Sequence, residues 1–165
     1  MKFLVNLGED NSDWLRASRM MGLVLKPFLE ALTMADQIFL KTHHVPPLYG
    51  SGVRYDNEPS DYTCTIDGVT ERVEDFASVP KIIQRGWGDC DDLAPWRCAE
   101  VRNAGYQAGI RIQWKTLRER MSLLAIGRPF KLYHIVVRWG EGQPLPPTVD
   151  PITRIEDPSK VLGMP

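Results

Sequence analysis

Apolar positions along the chain change their rhythm several times, and each change marks an element. Residues 2–7, KFLVNL, read as a short strand, and a helical stretch follows from about Ser12, a plausible N-cap, to about Thr42. Pro27 is expected to kink or split that helix. In its second half Leu29, Leu32, Ala35, Asp36 and Phe39 recur at helical spacing, giving a mostly apolar face that packs on the body. Val45-Pro46-Pro47 ends it, and residues 48–60 read as an irregular connection.

Tyr62 to Ile66 and Val69 to Val73 flank Asp67-Gly68, the dipeptide of a tight hairpin. A short helix over Val79 to Arg85 leads into Gly86-Trp87-Gly88-Asp89-Cys90. A second helix follows from Asp91 to Ala104, ended near Gly105. Strands are predicted over Ile110 to Trp114, Leu132 to Trp139 and Ile152 to Asp157, with the Gly- and Pro-rich GEGQPLPPT between the last two. The pattern predicts a single α+β domain over residues 1–165, with 1–45 largely helical and a Cys-bearing central helix packed on an antiparallel sheet.

Composition narrows the function classes. Of the 165 residues 43% are hydrophobic and 25% charged, the balance of an ordinary globular chain. Lys and Arg total 20 against 21 Asp and Glu, a net charge of -1, so nucleic acid is not an expected partner. No run approaches the roughly 18 apolar residues of a membrane span, so no membrane association is expected. The opening MKFLVNLGEDNSDW lacks the order of a secretion signal, and the chain is expected to be cytoplasmic at synthesis.

Cys64, Cys90 and Cys98 form no CxxC pair, which argues against a disulfide framework and a Cys-rich zinc site. His43 and His44 are adjacent and have no matched ligand nearby, so no metal and no cofactor are expected.

Cys90 stands where a loop enters a helix, and helix N-terminal amides favour both a thiolate and an oxyanion. A buried small hydrophobe is the plain alternative for a lone Cys. Gly86 and Gly88 around Trp87 permit a close backbone approach that such a residue would not need. Leu93, Ala94, Cys98 and Val101 form the inward stripe of this helix, which would turn the thiol toward the sheet. Asp89, Asp91 and Asp92 crowd the thiolate with like charge, or cap the helix as solvent-facing acids.

His134 is the candidate base, a polar ring in the apolar strand Leu132 to Val137, expected to face the Cys90 helix. An orienting carboxylate comes from one of two Asp-Pro pairs, Asp150-Pro151 or Asp157-Pro158. The segment ending at Asp150 contains Pro144, Pro146 and Pro147, which favours Asp157 as the residue beside a paired His134. Gln84, six positions before Cys90, and Trp87 are candidates for the oxyanion site and cleft, with Trp96 and Trp114 expected at an apolar rim.

The ordered pieces GWGDCDDLAPWRCAEVRNAG, GIRIQW, YHIVVRW and VDP or EDPS resemble the transglutaminase-like superfamily, a papain-related group, over roughly residues 79–160. PPLYGSGVRY and EDPSKVLGM extend the likeness to small transglutaminase-like proteins encoded by tailed phages and prophages. The resemblance implies a Cys-His-Asp site with Cys90 as nucleophile, His134 as base and an Asp-Pro aspartate as orienter. It further implies a cysteine peptidase, amidase or acyl transferase acting on a peptide or protein amide. A non-catalytic virion or assembly protein, using the fold to meet a virion partner, is the reading from another class.

Overall fold

A computed structural model describes residues 14–57, 63–66, 69–72, 75–116 and 131–163. The expected strand over residues 2–7 lies outside the described residues. Among the rest the architecture is α+β, in the order α1 (Trp14–Thr42), a 3-10 turn (Leu48–Gly50), β1 (Arg54–Tyr55), β2 (Thr63–Ile66) and β3 (Val69–Arg72). Then come α2 (Val79–Arg85), β4 (Trp87–Gly88), α3 (Cys90–Asn103), β5 (Ala108–Thr116), β6 (Lys131–Trp139), β7 (Ile155–Glu156) and α4 (Pro158–Val161). No helix among the described residues is long and apolar enough to cross a membrane.

β5, β6 and β7 form an antiparallel sheet in that order, with Gln113 opposite His134 and Glu156 opposite Val137. β2 and β3 make the expected hairpin, with Ile66 opposite Val69. β1 and β4 pair in parallel, Tyr55 opposite Gly88. This bridge was not predicted, because residues 48–60 carry no alternating run. Leu48 and Val53 are nevertheless buried there.

α3 is the axis of the molecule. Ala94, Cys98 and Val101 meet Leu25 and Leu29 of α1 and Ile110, Ile135, Val137 and Trp139 of the sheet. On its other side Leu93 and Trp96 pack with Leu48, Val53, Val79 and Ile82. Covered on both sides, α3 cannot shift without disturbing both clusters.

Several boundaries differ from expectation. α1 runs as one helix through Pro27, which is exposed and flanked by the buried Leu25 and Leu29. Tertiary burial on both sides outweighs the lost backbone bond. Its inward face is Leu25, Leu29, Thr33 and Asp36, while Ala35 is exposed. The last strand is short: residues 151–153 form a turn, with Ile152 91% exposed, because Asp150 closes it by accepting from the Ile152 and Thr153 amides at 2.8 and 2.9 Å.

Asp36 fastens α1 to α2, its Oδ1 accepting from the Val79 amide at 3.0 Å while Oδ2 is buried with no hydrogen-bond partner among the described residues. Burial pushes this carboxyl up to about 7, against the opposing Val79 amide. A folded-state value above the unfolded one favours the protonated form, so its stabilisation is full below about pH 4 and is lost as pH rises through about 7. Urea denaturation at about pH 5 and pH 8 should show the native chain losing on the order of 2 kcal/mol relative to Asp36→Asn, which keeps the amide-accepting oxygen and cannot ionise.

Candidate active site

Gly86 and Gly88 set the turn that delivers Cys90, each for its own reason. Gly86 ends α2 in the left-handed region, at φ 76°, with open space where a side chain would stand. At Gly88 a Cβ would lie 2.9 Å from Leu93 Cδ2 and 3.2 Å from Asp92 Cβ, so only glycine fits. The Gly86 and Gly88 carbonyls accept from the Arg54 and Asp56 amides at 3.2 and 3.1 Å, locking β4 to β1.

Cys90 is the first residue of α3 and half-buried against the α1–α3–sheet cluster. Asp89, Asp91 and Asp92 are all buried, which corrects the expectation of solvent-facing acids. Their carboxylate oxygens lie within 4.8 Å of one another, close enough to share a cation, but Asp92 is already committed. It accepts from the Ala77 amide at 2.6 Å, from the Asp89 amide at 3.3 Å and from the Arg85 guanidinium. Burial and the neighbouring Asp89 raise its pKa, and Arg85 with the two amides opposes that rise.

Arg85 does more than neutralise Asp92. Its Nε donates to the Trp87 carbonyl at 2.8 Å, its guanidinium lies 3.8 Å over the Trp87 ring, and Nη1 is 3.3 Å from Asp75. Trp87 is therefore pinned, half-buried, under a cation. Trp96 is fully buried in the core, not at a cleft rim, and the Trp114 side chain lies outside the described residues. Gln84 is exposed on α2.

The structure brings His134 and Asp157 together: Nε2 lies 2.9 Å from Asp157 Oδ2, both side chains about one-tenth exposed. Asp157 Oδ1 accepts from the Ser159 amide and hydroxyl at 3.2 and 2.6 Å, capping α4. Burial works against ionisation of Asp157, yet the bonds from His134 and Ser159, with Lys160 at 3.8 Å, hold its carboxyl below the ordinary carboxylate value. Asp150 does not join this pair; it is exposed on its own turn.

Alternation along β6 corrects one expectation. Tyr133, Ile135, Val137 and Trp139 turn onto the α3 side, so His134 lies with Gln113 on the other face, where Asp157, following β7, meets it. Cys90, at the start of α3, packs against the apolar cluster on the α3 face. The Tyr55 phenol on β1 feels charge from both groups: burial raises its pKa well above the ordinary value, charge on Cys90, Asp89, Asp157 and Asp91 raises it further, and its hydroxyl donates to Asn57 Oδ1 at 3.3 Å. Sequence reasoning missed Tyr55 because only the β1–β4 bridge carries it there. It missed Gln113 because strand register selects it.

Glu156, beside Asp157, is fully buried and accepts four bonds: Tyr49 Oη at 2.9 Å, Arg97 Nε at 3.0 Å, Thr148 Oγ1 at 2.7 Å and Trp139 Nε1 at 2.8 Å. Arg97 belongs to α3, so one ion pair joins the helix of Cys90 to the strand preceding Asp157. Burial pushes the Cys98 thiol up to about 12, which makes it a poor nucleophile. The Cys64 side chain lies outside the described residues.

Comparison with protein-family models, curated proteins and solved structures finds no match to this chain.

Arg85→Met would strand the buried Asp92 charge and should cost about 3 kcal/mol in chemical denaturation. Lys81→Met, removing a half-exposed partner of Asp75, should cost under about 1 kcal/mol in the same assay.

Proposed function

We propose that this chain is a cysteine-dependent amide hydrolase or acyl transferase of the transglutaminase-like kind, acting through Cys90, His134 and Asp157 on a peptide or protein amide. The observation that carries the reading is the 2.9 Å contact between His134 Nε2 and Asp157 Oδ2. A depressed carboxyl accepts from Nε2–H, which leaves the lone pair on Nδ1 and holds the ring in the tautomer of a general base. The position of Cys90 as first residue of α3 supports it, as does a Tyr55 phenol that feels the charge of both Cys90 and Asp157.

In this mechanism the Cys90 sulfur attacks the amide carbonyl carbon as its proton passes to His134 Nδ1. The carbonyl oxygen takes the negative charge, and amides of the first turn of α3 stabilise it. Collapse breaks the C–N bond, the leaving amine takes the proton from His134, and a thioester remains on Cys90. Water, activated by His134, releases the acid, whereas an amine attacking the same thioester completes acyl transfer. Tyr55, kept neutral by burial, keeps a hydroxyl that now donates to Asn57 Oδ1 at 3.3 Å and could turn to a bound substrate.

The alternative reading is a non-catalytic virion or assembly protein. It is favoured by one observation: Leu23, Met34 and Ile38 of α1 are 71%, 56% and 65% exposed, an apolar outer stripe that a partner could cover.

Mass mapping after brief iodoacetamide treatment at neutral pH separates the two. Under the catalytic reading Cys90 is labelled first, and His134→Ala or Asp157→Ala slows it by about tenfold or more. Asp150→Ala, which removes only a turn acceptor, leaves the rate near that of the native chain. Preferential labelling of Cys64 or Cys98, or a Cys90 rate indifferent to His134, would sink the catalytic reading in favour of the interaction module.

A further inference from the structure

β5 pairs only with β6 among the described residues; at the start of its other edge the Ala108 carbonyl accepts from Arg102 Nε at 2.8 Å, and beyond it no strand among those residues covers the edge. A groove of about 620 Å³ runs along that edge, walled by Gly22 and Lys26 of α1 and by Arg111, Arg138 and Trp139 of the sheet. Lys26, Arg111 and Arg138 are exposed, and none of them is hydrogen-bonded or ion-paired among the described residues. Glu141 is the one carboxylate in the lining.

Register gives the groove a two-sided character. Ala108, Ile110 and Ile112 alternate onto the apolar face, while Gly109 and Arg111 alternate onto the other, with Arg138 directly opposite Gly109. At Gly22 and Gly109 a Cβ would meet nothing within 4 Å, so the groove is open beside both.

We infer that the free edge of β5 binds an extended acidic segment of another protein, added as a fourth strand to the sheet. Main-chain bonds to β5 supply the pairing. Alternation sets the sequence requirement: apolar side chains on the side of Ile110 and Ile112, and Glu or Asp on the side of Arg111 and Arg138. A polyanion such as a nucleic acid fits less well, since half of this groove is apolar and the chain as a whole carries a net charge of -1. This docking does not depend on the chemistry proposed for Cys90, and Cys90→Ser should leave it unchanged.

The test is fluorescence anisotropy on the full chain with a labelled Val-Glu-Val-Glu-Val-Glu-Val peptide. Saturable binding that weakens with added salt is expected, and the Val-Lys counterpart should not bind. The Arg111→Glu, Arg138→Glu double variant should weaken binding by about tenfold or more. Gly22→Leu should block it, because the new side chain enters open space on a helix that tolerates leucine. Thermal melts matching the native chain would show that both variants are folded.

Any of five results would overturn the proposal. These are absence of peptide binding, equal affinity in the double glutamate variant, and displacement of the peptide by an equimolar oligonucleotide. The fourth is peptide binding that appears only after removal of residues 1–13, which would make this chain's own leading segment the occupant. The fifth is a concentration-dependent dimer abolished by Gly22→Leu, which would make it a second copy.

Discussion

The geometry of the candidate site depends on one buried carboxylate. Glu156 has no exposed surface and gathers donors from the 3-10 turn, α3, β6 and the loop before β7. Removing any ion from water is costly, and the cost is offset only when its acceptor sites are filled with good geometry. Four donors within 3.0 Å meet that condition. Because Arg97 lies on the helix that Cys90 opens, and Asp157 follows Glu156 directly, the same interaction sets the spacing between two of the proposed reacting groups. Replacing the cluster with apolar residues of similar volume would free the strand end from the helix even where it left the fold stable.

A second buried acid shapes the nucleophile's end. Asp92 draws in the Ala77 and Asp89 amides and the Arg85 guanidinium, and Arg85 in turn grips the carbonyl and ring of Trp87. The turn from Gly86 to Cys90 is thereby clamped from both sides, and Gly88 permits the close approach to Leu93. The concentration of acids around a thiol is electrostatically unfavourable for a thiolate. Within this group Arg85 neutralises Asp92, and the amides of the α3 N-terminus supply partial positive charge to the rest. Under the proposed reading, this charge pattern asks that a base activate the thiol during the reaction, since the surrounding acids oppose a standing thiolate.

Much of this was legible in the chain because it is local. Helical period and a Gly boundary define α3 to within one residue at each end, and an apolar run defines β6. The choice of Asp157 over Asp150 as neighbour of His134 followed from proline, which cannot donate to a ladder. What escaped was set by distance or by face. Tyr55 reaches the site through a two-residue parallel bridge between segments more than thirty positions apart, and such a pairing leaves no periodic trace. Glu156 reads as an ordinary acid in a short polar strand until Tyr49, Arg97 and Trp139 close on it. The burial of Asp89 and Asp91 likewise comes from packing around α3, which charge alone argues against. His134 was placed in the right strand, but an apolar residue stands on either side of it, so composition did not tell which face the ring would take.

That face has a consequence for the whole sheet. The alternation that turns Ile135, Val137 and Trp139 onto α3 puts His134, Val136 and Arg138 together on the opposite side of β6. Opposite them on β5 stand Gln113, Arg111 and Gly109. The imidazole and the guanidinium pair are therefore parts of one surface, with His134 and Arg138 four residues, or about 13 Å, apart along the strand. A chain held in extended form at the β5 edge would run parallel to that surface. β5 stands between that edge and β6, so a segment added there pairs with β5 alone and lies two strand spacings, about 10 Å, from the histidine.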